Sequence, residues 1–126
     1  MNTYFVYGTL KKDMKNHHIM KNLNAKFIAP ATTIDEYPMF DLGNGFPYVQ
    51  NKPGIGHVLS GELWTVSEDK VKDLDYFEGV PTLYKKGKIS VIHESGGVAV
   101  ANCYFITDEL DKYEITDVEL LKEWSE

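Results

Sequence analysis

The chain has 126 residues, of which 43% are hydrophobic and 25% are charged, and this composition is ordinary for a folded globular domain. Its net charge of -6 has the wrong sign for binding a nucleic-acid backbone or an anionic membrane. No apolar stretch approaches the ~20 residues of a spanning helix, and the start, MNTYFVYGTL, lacks the pattern of a signal peptide. We therefore expect one cytoplasmic domain, residues 1–126, with neither nucleic acid nor membrane as a partner.

The N-terminal half of the chain predicts short strands separated by turns. Residues 3–7 (TYFVY) are β-branched and aromatic, which predicts a strand buried on both faces, and Gly8 ends it. Asn16 predicts the cap of a short helix. Residues 25–56 are rich in Pro and Gly, and this composition indicates short strands and turns with no long helix.

The middle of the chain predicts a strand and then a helix with both ends marked. Residues 57–66 (HVLSGELWTV) predict the strand, in which Gly61 indicates a bulge or a close approach of another group. Ser67 is a favourable N-cap for the helix. We expect the helix to run to about Glu78, because Gly79 supplies a left-handed terminator.

A hairpin and a last helix complete the predicted elements. Residues 85–93 and 98–106, joined by the loop ESGG, are typical of two antiparallel strands. Thr116 and Glu119 form a capping-box pair, which predicts a short C-terminal helix. That helix would pack through Leu120, Leu121 and Trp124. Because strands and helices do not alternate regularly, we expect an α+β fold on a closed or strongly curved mixed sheet, with two or three short helices.

Glu78 is a carboxylate at the end of the predicted central helix. It follows Val71 by seven positions and Leu74 by four, so helical spacing places it on their apolar face. Partial burial and the negative end of the helix dipole would raise its pKa and prepare it for proton transfer near neutrality. The alternative is a frayed last turn with Glu78 in solvent. Asp73 and Asp75 fall outside the apolar stripe and are predicted to lie at the surface.

The segment YGTL connects the first strand to the rest of the chain through a glycine and a hydroxyl residue. Backbone amides at such a strand end can form a nest for a carboxylate or an oxyanion, although the pattern also fits a plain turn. Tyr84, soon after the helix stop, either borders the same region as Glu78 or is an ordinary strand aromatic.

Other residues give little indication of chemistry. His17 and His18 are adjacent and would point about 100° apart on a helix, so we predict no metal site. The lone Cys103 lies in an apolar strand, which indicates a buried residue in a reducing compartment and not a nucleophile. No glycine-rich segment continues into the GK[ST] of a phosphate loop, and we expect no cofactor.

Five segments of the chain form a set of motifs. They are FVYGTLKK at 5–12 followed by Asn16-His17, YPMF at 37–40, FPYV at 46–49, GELWTV at 61–66 and LDYFEGVPTLYKK at 74–86. Together they resemble the gamma-glutamylcyclotransferase-like family, and most of all its gamma-glutamylamine cyclotransferase branch. The resemblance spans about residues 3–106, and the final twenty residues contain no matching motif.

This resemblance implies a small mixed β-barrel flanked by short helices, with a cavity between the YGTL loop and the end of the central helix. It implies that Glu78 is the general acid/base. The residues expected to bind substrate are Tyr7, Gly8, Thr9 and Leu10, and we add Tyr84 to them.

The implied reaction converts a γ-glutamyl amine or amide to 5-oxoproline and free amine, without a cofactor. We expect a small γ-glutamyl molecule as the partner, and a monomer or weak dimer. The alternative is a non-catalytic protein that binds or sequesters a small metabolite in the same cavity, but the presence of Glu78 favours the enzyme. A protein-interaction module gains no support from the motifs.

Overall fold

The computed structural model describes residues 2–80, 82–107 and 119–126, and these ranges contain seven strands, two α-helices and a 3₁₀ turn. In chain order the elements are β1 (Asn2–Val6), α1 (His17–Asn22), β2 (Lys26–Thr33), β3 (Met39–Asp41), β4 (Pro47–Val49), β5 (Ser60–Val66), the 3₁₀ turn (Glu68–Lys70), α2 (Val71–Phe77), β6 (Tyr84–His93) and β7 (Val98–Ile106). None of the helices in these ranges is long and apolar enough to cross a membrane.

Five of the strands close into a barrel in the order β1-β5-β2-β6-β7. Neighbouring strands are antiparallel except β1 and β7, which are parallel and close the barrel where Tyr4 pairs with Asn102. Strands β3 and β4 form a separate two-stranded sheet. The predicted hairpin is present as β6 and β7. The expected α+β fold, a small mixed β-barrel with short helices, is therefore confirmed.

Strand β1 contributes to two hydrophobic cores, because successive side chains on a strand point to opposite faces. Phe5 packs with alternate residues of the other barrel strands, among them Leu63, Ile89, Val91, Cys103 and Phe105. Tyr4 and Val6 pack on the opposite face with residues of both helices, among them Met20, Leu23 and Leu74. The three side chains from Tyr4 to Val6 are all buried, as predicted for a strand covered on both faces.

Strand β5 is shorter than predicted, since it begins at Ser60, and His57 instead forms an isolated bridge with Tyr37. Gly61 marks a close approach, as its position indicates. A Cβ at Gly61 would lie 2.5 Å from the carbonyl oxygen of Val6, so only glycine allows β1 and β5 to come this close.

The predicted C-terminal helix is wrong for residues 119–126, which contain no helix. The N–H of Leu121 donates to the carbonyl of Met39 at 2.8 Å, so the backbone here is bonded to β3 and not within a helical turn. The expected apolar packing is present, because Trp124 is buried in the core. Thr116, the predicted cap, lies outside the described residues.

Candidate active site

A cavity of about 210 Å³ lies between the loop after β1 and the end of α2. It is smaller than the roughly 300–1,000 Å³ of pockets for drug-sized ligands, which suits a small metabolite. The site residues predicted from the sequence all line it: Tyr7, Gly8, Thr9, Leu10, Glu78 and Tyr84. The structure thus brings together two segments that are almost 70 residues apart in the chain.

The loop after β1 is held in place by hydrogen bonds to its carbonyl groups. The N–H of Asn16 donates to the carbonyl of Thr9 at 3.0 Å, and Nδ1 of His17 lies 2.9 Å from the carbonyl oxygen of Leu10. The Asn16 side chain also donates to the Thr9 hydroxyl at 3.0 Å. Across residues 2–80, 82–107 and 119–126, no backbone carbonyl accepts from the N–H groups of Gly8, Thr9 or Leu10. Backbone donors without a carbonyl partner are of the kind that bind an anionic ligand.

Two tyrosine hydroxyls in the cavity wall donate hydrogen bonds to backbone carbonyls. Tyr7 donates to the carbonyl of Tyr104, and Tyr84 donates to the carbonyl of Pro47 at 2.9 Å. Burial raises the pKa of both tyrosines well above the ordinary value, so both remain neutral. Each oxygen retains lone pairs, and the two hydroxyls can serve a ligand as hydrogen-bond acceptors.

Glu78 occupies the C-cap of α2, and the helix ends there in a hydrogen-bonded motif. Gly79 has a φ of +70°, its N–H donates to the carbonyl of Tyr76 at 3.1 Å, and the N–H of Val80 donates to that of Asp75 at 3.1 Å. This pair of bonds is the Schellman motif, which closes a helix on a left-handed residue. The alternative of a frayed turn with Glu78 in solvent is therefore wrong.

Burial raises the pKa of Glu78 to about 7, and the negative charge of Asp75 adds to the increase. Burial also raises the pKa of Tyr7, Tyr84 and Cys103, and the charge of Glu78 contributes to each of these shifts because the four groups lie close together. A carboxyl group that titrates near neutrality can both take up and release a proton at physiological pH.

The predicted surface position is correct for Asp73 but wrong for Asp75. The Asp75 side chain is only 28% exposed, because it forms an ion pair with Lys86 at 3.0 Å and accepts a hydrogen bond from the Tyr104 hydroxyl at 2.6 Å. The apolar stripe of the helix contains no information about these partners on β6 and β7. The three-residue spacing between Asp75 and Glu78 could have shown only that the two carboxylates lie one helical turn apart.

The described part of the chain contains no group of three His, Cys, Asp or Glu side chains that could hold a metal ion. His17 instead contacts the loop after β1 and packs against Trp64. Cys103 is fully buried in β7, as predicted, and burial raises the pKa of its thiol, which disfavours the reactive thiolate.

The whole sequence can now be compared with known families. The family model described as "Gamma-glutamyl cyclotransferase, AIG2-like" matches residues 4–126. The chain belongs to this family. The resemblance drawn from the motifs is thus confirmed, and the match continues through the final twenty residues, which contain no recognisable motif of the family. Membership places the chain among cyclotransferase enzymes.

Two zebrafish (Danio rerio) relatives and one mouse structure show how far the similarity of this family member extends. Gamma-glutamylaminecyclotransferase C is 37% identical over 79% of this chain and 72% of its own length. Gamma-glutamylaminecyclotransferase A is 41% identical over 69% of this chain and 56% of its own length. The crystal structure of an AIG2-like protein from Mus musculus is 28% identical, with a TM-score of 0.87 over 99% of this chain and 88% of that chain.

Proposed function

We propose that this protein is a gamma-glutamylamine cyclotransferase, which converts a γ-glutamyl amine or amide to 5-oxoproline and a free amine. One observation carries the proposal. Glu78, a partly buried carboxyl group with a pKa of about 7, lines the same small cavity as the N–H groups of Gly8, Thr9 and Leu10, which have no backbone carbonyl partner among the described residues. The names of the zebrafish relatives support the same activity.

The cavity offers complementary groups to the two charged ends of a γ-glutamyl head. The N–H groups of the loop after β1 suit an α-carboxylate, since a row of backbone donors forms an anion nest. The α-ammonium group needs acceptors. Glu78 provides a carboxylate, and the hydroxyl oxygens of Tyr7 and Tyr84 retain lone pairs, because their protons are donated to backbone carbonyls.

Cyclisation then requires the removal of one proton to create the nucleophile. Glu78 takes a proton from the α-ammonium group, and the neutral amine attacks the γ-carbonyl carbon to form the C–N bond of the lactam. The oxyanion that develops can be stabilised by a backbone N–H of the loop. Since nucleophile and electrophile belong to one molecule, the enzyme gains most by holding the substrate folded with these atoms in contact.

The collapse of the tetrahedral intermediate breaks the bond between the γ-carbon and the leaving nitrogen. Over the whole reaction the attacking nitrogen loses two protons and the leaving nitrogen gains two, which produces the lactam N–H and an ammonium product. Glu78 can carry these protons in turn and finishes in its initial state. This role demands a group that both accepts and releases protons, which is what a pKa of about 7 provides.

A substrate screen tests the proposed activity. The protein is incubated with γ-glutamyl-ε-lysine, γ-glutamyl-alanine and glutathione, and 5-oxoproline is measured by mass spectrometry. We expect 5-oxoproline from at least one substrate, with release of an equal amount of the amine partner. The control is the same substrate with its α-amino group acetylated, which cannot cyclise and should give no product.

The alternative function is storage or sensing of a small metabolite in the same cavity. It predicts that the γ-glutamyl compounds bind and stabilise the protein against heat, by mass action, but remain unchanged. Binding of all three compounds without 5-oxoproline would therefore reject the cyclotransferase in favour of the binding protein.

A methyl group on Gly8 tests the role of the loop after β1. In Gly8→Ala the new Cβ would lie 2.8 Å from Cγ of the Pro47 ring, which cannot easily move away. Because Gly8 and Pro47 both line the cavity, we expect KM to rise by about 10-fold and stability to fall by about 1–3 kcal/mol, the usual cost of overpacking. The matched control is Gly97→Ala, where no atom of the described residues, apart from the chain neighbours of Gly97, lies within 4 Å of the new Cβ. Equal kinetics in the two variants would contradict the assignment.

A further inference from the structure

A series of polar contacts connects β6 and β7 with the wall of the cavity. Oδ1 of Asp75 lies 3.0 Å from Nζ of Lys86 in β6 and accepts the hydroxyl of Tyr104 in β7 at 2.6 Å. The carbonyl of the same Tyr104 accepts the hydroxyl of Tyr7 in the cavity wall. The carboxylate of Asp75 therefore joins α2 to two barrel strands, one helical turn before Glu78.

The orientation of α2 depends on few contacts. The helix has seven residues, of which Leu74 is fully buried and Val71 packs partly buried against the same core. A short helix with so small an apolar contact can change its orientation unless a further attachment prevents it. Asp75, next to Leu74, provides this attachment through Tyr104 and Lys86.

We propose that Asp75 is a positioning residue for the reaction: held by Tyr104 and Lys86, it fixes the end of α2 and keeps a negative charge one turn from Glu78. The inference rests on the proposed function, because it assigns Asp75 to the same proton transfer. The charge disfavours ionisation of Glu78 and so helps this carboxyl group to remain a proton carrier near neutral pH.

Other titratable groups around Glu78 do not supply a competing charge. Tyr7 after β1, Tyr84 in β6 and Cys103 in β7 face it from the barrel. Burial raises the pKa of all three, so they are neutral in neutral solution. Within the described residues, Asp75 is therefore the charge that raises the pKa of Glu78, and a cation is paired with Asp75.

That cation, Lys86, opposes the effect of Asp75. Burial lowers the pKa of Lys86, but its hydrogen bonds with Tyr4 and Asp75 more than compensate, so the pKa is raised and the side chain stays charged. We therefore predict that the loss of either charge shifts the pKa of Glu78, in opposite directions for the two residues. Loss of the Asp75 charge should make Glu78 easier to ionise, and loss of the Lys86 charge should make it harder.

The test is a direct titration of Glu78 by NMR with ¹³C-labelled glutamate, in which its carboxyl signal is assigned by its absence from Glu78→Gln. In Asp75→Asn we expect the midpoint to fall from about 7 by roughly half a pH unit or more, and in Lys86→Gln, whose charge lies beyond Asp75, to rise by a smaller amount. The acid limb of kcat/KM should move with it. Matched controls are Asp73→Asn and Lys72→Gln, which change the same charges at exposed positions of α2.

Shifts of opposite sign support the proposal, since a merely structural disturbance would move both variants in the same direction. An unchanged midpoint in Asp75→Asn, or a common direction in both variants, overturns it. If Asp75→Asn does not fold, Lys86→Gln decides alone: an upward shift supports the inference and no shift rejects it. Because the titration needs no substrate, opposite shifts in a protein without turnover would reject the proposed function, and with it the role of Asp75 in the reaction, but would support the effect of the Asp75 charge on Glu78.

Discussion

Replacement of Glu78 by Gln should lower the rate of 5-oxoproline formation by about 10²- to 10⁴-fold, the usual contribution of a positioned general acid or base. Gln has nearly the same shape and can accept a hydrogen bond, but it cannot take a proton from the α-ammonium group. Substrate binding through the loop after β1 should persist, so we expect the loss in kcat and a much smaller change in KM.

The comparison needs a matched substitution that leaves the cavity intact. Asp73→Asn removes a carboxylate from the same helix at an exposed position and should retain wild-type kinetics. Circular dichroism of both variants verifies folding, and single-turnover measurements with a substrate identified by the screen give the chemical step. Wild-type turnover by a folded Glu78→Gln protein would falsify the assignment of the base.

Local sequence predicts the parts of this fold that depend on neighbouring residues. The hairpin of β6 and β7 follows from two apolar strands and a four-residue loop, and the end of α2 follows from Gly79, which takes the left-handed conformation that the position requires. The direction of Glu78 follows from helical spacing alone. Each of these features is decided by segments that are neighbours in the chain, where pattern and backbone preference act together.

Such local patterns do not predict contacts between distant segments of the chain. Tyr104 and Asp75 are 29 positions apart, and nothing in the apolar run VAVANCYFI distinguishes the residue that will donate to a carboxylate. The parallel pairing of β1 with β7 closes the barrel across almost the whole chain. The residues alone left the roles of Glu78 and YGTL open, and only the family resemblance placed both at one cavity before the structure did.

The same Glu78→Gln substitution should stabilise the protein above neutral pH. The pKa of Glu78 is about 7 in the folded state, against an ordinary value of 4.5 for the unfolded chain. Between these values the folded state holds a proton that the unfolded state has lost, so the free energy of unfolding decreases as pH rises from about 4.5 to 7. This difference in pKa corresponds to a loss of roughly 3 kcal/mol in the free energy of unfolding, and the loss is complete above pH 7.

Gln does not titrate, so it avoids the cost of burying a charge at the cavity wall. We expect Glu78→Gln to exceed the wild type by about 2–3 kcal/mol at pH 8 and to match it near pH 4, where the buried carboxyl group is neutral. Urea unfolding at pH 4, 6 and 8, followed by far-UV circular dichroism, gives the two curves, and Asp73→Asn should differ from the wild type by a small and constant amount.

A difference for Glu78→Gln that is independent of pH would show that the folded protein does not raise the pKa of this carboxyl group. A variant that is slower in catalysis and more stable at pH 8 would show that the fold keeps this carboxylate for its chemistry, at the expense of its own stability.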